Sequence, residues 1–358
     1  MAYANQPLRI GVIPGDGIGP EIAKATQCVL EATGIPITWE YIEVGEEATK
    51  KRGHALPPST VAQLKAVRNV IKAPLVVNKL QGRISCAQPD GSINTYPSLN
   101  NAIRRELDLF VNPRIIKGFR GVSGKYESLD IAIMREITED VYFGHEHRIG
   151  NDVAAEAVKL TTRAAALKVS EYAFQYAQRH GRKHVTCLHK ANVLGLTDGL
   201  FLRCFWEVSQ KYPDIHADDM MIDAACYTVI LKPERFDVVV TSNQYGDIFS
   251  DLVAGLAGSL GLAAGVNIGD AVSTFEACHG AAPDIANQGI ANPVALILSA
   301  SNLLEAEGYK REASAIYQAT GIIMESKDAL TPDLGGLGTT DGLAEAIAVK
   351  VKGILNIE

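Results

Sequence analysis

Apolar and polar residues follow two different periods along the chain, and their alternation predicts strands interleaved with helices. Short apolar runs rich in β-branched residues predict strands at 8–13, 37–41, 69–77, 109–116, 130–136, 185–192 and 236–241. Helical spacing is found at 21–33, 59–65, from residue 98, at 151–180, after residue 246, at 292–304 and in two later segments. Residues 252–265 fit a packed helix and turn, and 275–287 fit a loop. The pattern predicts an α/β fold.

Residues 78–97 interrupt this alternation, because no sustained period runs through them. A loop of that length is usually functional. Helical spacing resumes at Ser98, which is a plausible N-cap.

Length and composition narrow the class of protein. A chain of 358 residues exceeds the usual single domain, so two domains are expected. A net charge of -7 argues against nucleic-acid binding, which needs a basic face. Six dispersed cysteines without a Cys-x-x-Cys pair indicate neither zinc nor disulfides and fit a reducing compartment. The segment before the first strand is too short for a signal peptide, and no apolar run could span a membrane, so a cytoplasmic protein is expected.

A glycine-rich turn at 14–20 joins the first strand to the first helix. It differs from the ordinary dinucleotide fingerprint, because its third glycine comes one residue early. Its glycines would still let a ligand approach the backbone closely.

Two acids, Asp247 and Asp251, lie four residues apart after a predicted buried strand. On a helix they would share one face and repel each other unless a cation lay between them. A hard cation such as Mg²⁺ or Mn²⁺ prefers such oxygen ligands. The alternative is an ordinary acidic first turn. Asp223 is a third candidate ligand.

Three arginines, Arg104, Arg114 and Arg135, stand at the ends of predicted elements and would suit an anionic ligand, although each alone fits a surface ion pair. Lys190 ends a strand, where open α/β sheets place their chemistry, although most such lysines are simply solvated. Asp284 lies in a loop and could accept both hydroxyls of a ribose. His145 and His147 lack the spacing of a zincin helix and fit a solvated turn.

Taken together, these motifs resemble the β-decarboxylating dehydrogenase family, which includes isocitrate, 3-isopropylmalate, homoisocitrate and tartrate dehydrogenases. The resemblance covers essentially the whole chain. It rests on Gly15-Asp-Gly-Ile-Gly-Pro-Glu21, Arg135-Glu-Ile-Thr-Glu-Asp-Val-Tyr142, His189-Lys-Ala-Asn192, Tyr245-Gly-Asp-Ile-Phe-Ser-Asp251, His279-Gly-Ala-Ala-Pro-Asp-Ile285 and Asp333-Leu-Gly-Gly336.

The resemblance implies a two-domain subunit without an ordinary Rossmann fingerprint. Residues 1–108 and 258–358 would form a large cofactor-binding domain, and residues 109–257 a small domain. An arm near residues 144–165 would clasp a second subunit. The active sites of the homodimer, which could pair further into a tetramer, would be shared between subunits.

The resemblance also implies the chemistry. Asp247 and Asp251, with the neighbouring subunit's Asp223, would hold Mg²⁺ or Mn²⁺ against the substrate hydroxyl. Lys190, like Asp223 supplied by the neighbouring subunit, would help to remove the hydroxyl proton during hydride transfer, and Tyr142 would protonate the carbon that loses carbon dioxide. The three arginines would hold carboxylates. The positions matched to cofactor binding are Ile18, Lys72, His279, Gly280, Ala281, Ala282, Asp284, Ile285 and Asn292.

Two features favour NAD-dependent oxidation of isocitrate, a tricarboxylate. Ser98 and Asn100 are similar to the pair that binds the extra carboxylate of isocitrate, and Asp284-Ile285 is similar to NAD-dependent members. Several departures bear on the substrate: the long loop 78–97, the run Ala73-Pro-Leu-Val-Val77, Pro97, Ile115 and Ile137. Homoisocitrate, tartrate and 3-isopropylmalate therefore remain alternatives. A regulatory subunit of a hetero-oligomer is a further one.

Overall fold

The computed structural model describes residues 7–76, 83–88, 90–122 and 124–357. The N-terminal six residues, Val77 and the first part of the predicted loop 78–97 lie outside the described residues. No helix within the described ranges is long and apolar enough to cross a membrane.

The described residues form fourteen strands and eleven α-helices. The strands are β1 (Leu8–Ile13), β2 (Ile37–Tyr41), β3 (Asn69–Lys72), β4 (Ile84–Ala87), β5 (Ile93–Tyr96), β6 (Leu109–Lys117), β7 (Asp130–Glu136), β8 (Glu146–Ile149), β9 (Ala154–Ala157), β10 (His184–His189), β11 (His216–Met221), β12 (Val238–Thr241), β13 (Ala264–Gly269) and β14 (Ser273–Ala277). The helices are α1 (Gly19–Glu31), α2 (Glu46–Arg52), α3 (Pro58–Val67), α4 (Leu99–Glu106), α5 (Arg163–Arg179), α6 (Thr197–Ser209), α7 (Ile222–Leu231), α8 (Asn243–Ala257), α9 (Val294–Ala306), α10 (Lys310–Ser326) and α11 (Thr340–Leu355).

One ten-stranded sheet runs through the described chain in the order β11-β10-β12-β7-β6-β13-β14-β3-β1-β2. Its outer strands pair in parallel, whereas the central pairs β7/β6, β6/β13 and β13/β14 are antiparallel. The ends of the chain supply one half of the sheet, and residues 109–241 supply the other. The α/β fold is therefore confirmed, while the exact division into two domains stays a prediction.

Apolar side chains pack on the faces of this sheet. Helix α9 lies at the centre of the largest cluster, together with α1, α10 and α11, and it is buried along most of its length. A second cluster joins β7, β10 and β12 to α5 and α6, and another joins the same part of the sheet to α7 and α8. Strands covered on both faces read as continuous apolar runs, which explains why the periodicity predicted them well.

Several boundaries differ from the predictions. The helix predicted at 151–180 begins only at Arg163, where the Thr162 side chain caps it, and residues 154–157 form β9 instead. The strand predicted at 69–77 ends at Lys72, two residues before Pro74. Strands β13 and β14 were predicted as helix, turn and loop, and the edge strand β11 was not predicted as a strand.

Two hairpins stand apart from the large sheet. Strands β4 and β5 pair within the predicted loop 78–97, and β8 pairs with β9. All eight residues of β8 and β9 are exposed in the single chain. The β8–β9 hairpin coincides with the predicted arm, and His147 belongs to β8 rather than to a simple turn.

Candidate active site

A cavity of about 700 Å³ opens between the first turn of α4, the strands β6 and β7, helix α8 and the segment that follows β14. Ten of the nineteen predicted site residues line it: Lys72, Ser98, Asn100, Arg104, Arg114, Arg135, Tyr142, Asp247, His279 and Gly280. Residues that are far apart in the sequence therefore meet at one place.

Positive charge is concentrated and buried in this cavity. Lys72, Arg104, Arg114 and Arg135 are each less than 9% exposed, whereas Glu276 is the one buried acid in the lining. Burial, with the neighbouring arginines, lowers the pKa of Arg135 to about 9. Such a cluster favours an anionic ligand, because bound carboxylates would offset the charge repulsion.

Helix α8 presents both predicted acids to the same arginine. Its first helical residue is Asn243, so Asp247 and Asp251 lie one turn apart on one face. The guanidinium of Arg114 donates to Asp247 Oδ1 at 3.0 Å and to Asp251 Oδ1 at 3.1 Å. The cation between the two carboxylates within this chain is therefore Arg114.

Tyr142 lies beside this acid pair. It belongs to a 3₁₀ turn, Val141–Phe143, and its hydroxyl donates to Asp247 Oδ2 at 2.7 Å. Burial and this hydrogen bond raise the pKa of Tyr142 to about 12. Tyr142 thus carries its proton at neutral pH and can act as a proton donor.

The charge on Asp247 is stabilised from several sides. Burial would raise the pKa of its carboxyl, but Arg135 and Arg114 outweigh that effect and lower the pKa. Asp251 has less compensation, and burial raises its pKa. Asp247 lines the cavity, whereas Asp251 does not and is exposed one turn further along α8. Neighbouring carboxylates of this kind are suitable ligands for a hard divalent cation.

Lys190 and Asp223 lie elsewhere. Lys190 follows β10, Asp223 lies in the first turn of α7, and their side chains form an ion pair of 2.7 Å. Neither residue lines the cavity. One chain therefore does not assemble Asp223 with Asp247 and Asp251.

Among the described residues, a different group of three metal-ligand side chains, His184, His216 and Asp218, clusters at the β10–β11 edge. Arg235 already occupies this group, because its guanidinium contacts Asp218 and lies 3.3 Å from His184 Nε2. An internal ion pair accounts for the cluster.

The start of α4 carries the predicted substrate contacts. The Ser98 hydroxyl accepts a hydrogen bond from the Asn101 amide at 3.2 Å, which confirms Ser98 as the N-cap. Asn100 Oδ1 is buried at the cavity without any partner. An unpartnered buried oxygen is costly, and a ligand donor would satisfy it.

Two further cavity residues were missed by the sequence reasoning. Glu276 accepts from Lys72 Nζ at 2.6 Å and from Arg104 at 3.4 Å, and it lies in β14, which was predicted as loop. Asn101 donates to the carbonyl oxygen of Tyr142 at 3.2 Å. The register of β14 against β3 could have located Glu276, because it pairs Glu276 with Lys72, but no local pattern shows that register.

The glycine-rich turn after β1 packs against the loop that follows β14. The Ile18 amide donates to the Ala281 carbonyl oxygen at 2.9 Å. A Cβ on Gly17, which has φ +58°, would clash with that same oxygen, so glycine is needed there. The turn and the loop therefore form one backbone surface.

The cofactor-type positions are only partly gathered. His279 lines the cavity with an unpartnered buried Nε2, and burial lowers its pKa. Asp284 is exposed, while Asn292 is buried and donates to Asp333 at 2.9 Å. The positions that do not line the cavity are Ile18, Ala281, Ala282, Asp284, Ile285 and Asn292.

Comparisons with known proteins place the chain in one family. The sequence profile of the isocitrate/isopropylmalate dehydrogenase family matches residues 9–347. The 3-isopropylmalate dehydrogenase of Archaeoglobus fulgidus is 43% identical over 95% of this chain and 98% of its own length. An NAD isocitrate dehydrogenase catalytic subunit of Arabidopsis thaliana, a mitochondrial protein, is 40% identical over 96% of this chain and 88% of its own.

A solved structure shows the same likeness in three dimensions. The isocitrate dehydrogenase from Methylococcus capsulatus superimposes with a TM-score of 0.89 at 41% identity, covering 96% of this chain and 99% of that one. The relatives carry names for two different substrates, so likeness alone leaves the substrate open.

Proposed function

Because the chain belongs to the isocitrate/isopropylmalate dehydrogenase family, an enzyme family that generally uses NAD(P) and Mg²⁺ or Mn²⁺, we propose that it oxidises and decarboxylates isocitrate with NAD. The products would be 2-oxoglutarate, carbon dioxide and NADH. The observation that carries the proposal is the polar end of the cavity, where the Ser98 hydroxyl and the Asn100 side-chain amide lie beside buried cations and could donate to a carboxylate.

Substrate preference follows from the cost of leaving polar groups without partners. The extra carboxylate of isocitrate would be held at this end of the cavity. The isopropyl group of 3-isopropylmalate would instead bury the Ser98 hydroxyl and the Asn100 amide N–H without an acceptor, at a cost of about 1 to 3 kcal/mol each. Homoisocitrate has the same carboxylate one methylene further away, so it is the second candidate.

The reaction needs few parts from the chain. Arg104, Arg114 and Arg135 would hold the substrate carboxylates by charge and by hydrogen bonds. A proton would leave the substrate hydroxyl towards Lys190 of a second copy of the chain, and Tyr142 would return a proton to carbon after carbon dioxide departs. Because the pKa of Tyr142 is about 12, its hydroxyl stays protonated at neutral pH and can donate that proton to the carbon.

The donor set fits a divalent cation. Asp247 and Asp251 would hold it from one chain, and Asp223 of a second copy from the other, with Arg114 giving up part of its pairing. When bound, the cation would polarise the substrate hydroxyl and its neighbouring carboxylate, and NAD would accept the hydride.

A homodimer with shared sites would account for the same geometry. Lys190 and Asp223 do not line the cavity of their own chain, and Tyr227 and Leu231, on the same helix as Asp223, are exposed. The wholly exposed β8–β9 hairpin has the marginal stability of an isolated two-stranded ribbon, and contact with a second copy would stabilise it.

Subunit mixing tests this sharing directly. Tyr142→Phe and Lys190→Met dimers should each be inactive, because each removes a different half of every site. After exchange of subunits, half of the dimers would be mixed, with one intact site of two, so roughly a quarter of wild-type activity should return. No recovery despite verified exchange would contradict shared sites.

The test of the whole proposal is NADH formation by the purified chain with Mn²⁺. Isocitrate, homoisocitrate, 3-isopropylmalate and tartrate are compared at equal concentration, with NAD and then NADP. The proposal expects isocitrate with NAD to be fastest. Activity with none of the four acids would favour the regulatory-subunit alternative, and preference for another acid would replace isocitrate.

Two variants sharpen the assignment. Asn100→Leu should lower kcat/KM for isocitrate roughly 10- to 100-fold and leave 3-isopropylmalate less affected, since the lost group is the polar one. Asp284→Lys combined with Ile285→Tyr should weaken NAD and improve NADP, because the exposed Asp284 carboxylate would repel a 2′-phosphate. Unchanged cofactor preference would remove the argument for NAD.

A further inference from the structure

Lys159 lies outside the cavity, between the end of the β8–β9 hairpin and the start of α5, with only 12% of its side chain exposed. Its ammonium nitrogen is 3.3 Å from Asp140 Oδ1 and 3.1 Å from Asp198 Oδ1. It also lies 3.3 Å from the Ser242 hydroxyl and over the ring of Tyr245 at 4.3 Å. One buried cation thus joins two buried acids.

Asp140 controls the segment that carries Tyr142. Its backbone has φ +72°, a conformation rare for a residue with a side chain, and it begins the 3₁₀ turn that contains Tyr142. Asp140 Oδ1 accepts from the Val141 amide at 2.8 Å, and Oδ2 accepts from the Gln244 amide at 3.0 Å. Asp140 therefore fixes the Tyr142 turn against the first turn of α8, one turn before Asp247.

Asp198 controls the segment that carries Lys190. It lies at the start of α6 with 3% of its side chain exposed. Its Oδ2 accepts from the Lys190 backbone amide at 2.7 Å. Asp198 therefore fixes where the Lys190 side chain leaves the end of β10.

We propose that Lys159 is a positioning residue that ties the Tyr142 turn to the Lys190 segment within each subunit. The inference rests on the proposed function, in which these two segments serve different active sites of the dimer. Lys159 would then connect the two active sites through each subunit. It touches neither substrate nor cofactor.

The physical reason is charge balance in a buried place. Without the ammonium, Asp140 and Asp198 would be two buried acids with no cation between them, and the segments that they hold would separate or rearrange. Displacement of either reacting group by about 1 Å is enough to cost up to about 100-fold in rate.

Lys159→Met tests the proposal, with hydrogen exchange as a readout that needs no activity. Amide exchange at residues 140–144 and at residues 190–194 should both quicken about tenfold or more, because both segments lose their shared anchor. Lys159→Arg should restore both, since it returns the charge. Faster exchange in only one segment, in neither, or without recovery in Lys159→Arg would overturn the proposal.

Lys168→Met is the matched control. Lys168 also pairs with an acid, Asp270, at 2.8 Å and lies over a ring, that of Phe110, at 4.0 Å, but it contacts neither segment. The control should leave both exchange rates unchanged. If it quickens them as much as Lys159→Met does, the effect is general loosening and the proposal fails.

Kinetics separate this inference from the proposed function. In the active enzyme, Lys159→Met should lower kcat about tenfold or more with KM for acid and cofactor changed less than about threefold, because no binding group is removed. Unchanged kcat would overturn the positioning role and leave the function intact. If the wild type oxidises none of the acids, the proposed function is refuted. The hydrogen-exchange experiment would still test whether Lys159 holds the Tyr142 turn and the Lys190 segment together.

Discussion

Glu276→Gln is the substitution for which the structure gives the clearest magnitude. The Glu276 side chain is buried at the cavity, and its two oxygens accept from Lys72 at 2.6 Å and from Arg104 at 3.4 Å. The amide of glutamine keeps the shape and removes the charge. Lys72, which is 4% exposed, would then face no anion at that position.

The expected cost follows from the pKa of Glu276. Burial alone would raise it, but the charges of Lys72 and Arg104 lower it from 4.5 to about 2. The difference between the unfolded and the folded pKa of Glu276 corresponds to about 3 kcal/mol of folding free energy at neutral pH, using about 1.4 kcal/mol per pKa unit. Removing one partner of a buried pair costs about 3 to 5 kcal/mol in general, so the two arguments agree.

The same difference in the pKa of Glu276 determines how the free energy of unfolding changes with pH, and in which direction. The folded pKa lies below the unfolded one, so the stabilisation is complete above pH 4.5 and is lost as the pH falls towards 2. At pH 3.5 the advantage of the wild type should already have dropped by more than about 1 kcal/mol.

The assay is denaturant unfolding of both proteins between pH 7 and pH 3.5, with the free energy of unfolding extrapolated to water. Glu40→Gln is the control, since Glu40 pairs with the exposed Arg9 at the surface and should cost less than about 1 kcal/mol. A difference below about 1 kcal/mol for Glu276→Gln at pH 7, or one that does not shrink with acid, would refute the reasoning.

Three further predictions concern catalysis, metal and assembly. Tyr142→Phe should lower kcat about 100-fold or more while calorimetric binding of the acid is kept, because it removes only a proton donor, and equal loss of binding would contradict that role. Asp251→Asn should raise the Mn²⁺ concentration needed for half-maximal activity in a metal titration, and an unchanged requirement would exclude Asp251 as a ligand. Ile149→Asp with Val153→Asp, on the β8–β9 hairpin, should weaken dimers in sedimentation experiments. The control is Val349→Asp, at a residue 70% exposed on α11, which should leave the dimer intact. If the control weakens dimers as much as the hairpin variant does, the predicted arm is refuted.

Local patterns determined most of the elements in this chain. Apolar runs located β1, β2, β6, β7 and β12, and the cap at Ser98 located the start of α4, because these signals act between residues close in sequence. The same signals failed at β13 and β14. Half of β13 is Gly and Ala, which have little strand character, and β14 is only five residues long, so pairing with β6 and β3 decides their conformation.

The long motifs determined the family, and the family match confirmed it. The four-residue spacing of Asp247 and Asp251 was by itself weak evidence for a metal site. The structure supplies Arg114 between them, so the same spacing fits an ion pair as well as a metal site.

The sequence by itself therefore determined the fold class, the identity of the chemical groups and the positions of most strands and helices. Only the tertiary structure decided which groups meet. It buried Glu276 between Lys72 and Arg104, left Asn100 without a partner, and kept Lys190 and Asp223 away from the cavity of their own chain. The physical reason is that these relations depend on strand register and on packing between distant segments, whose free energies no local stretch of sequence contains.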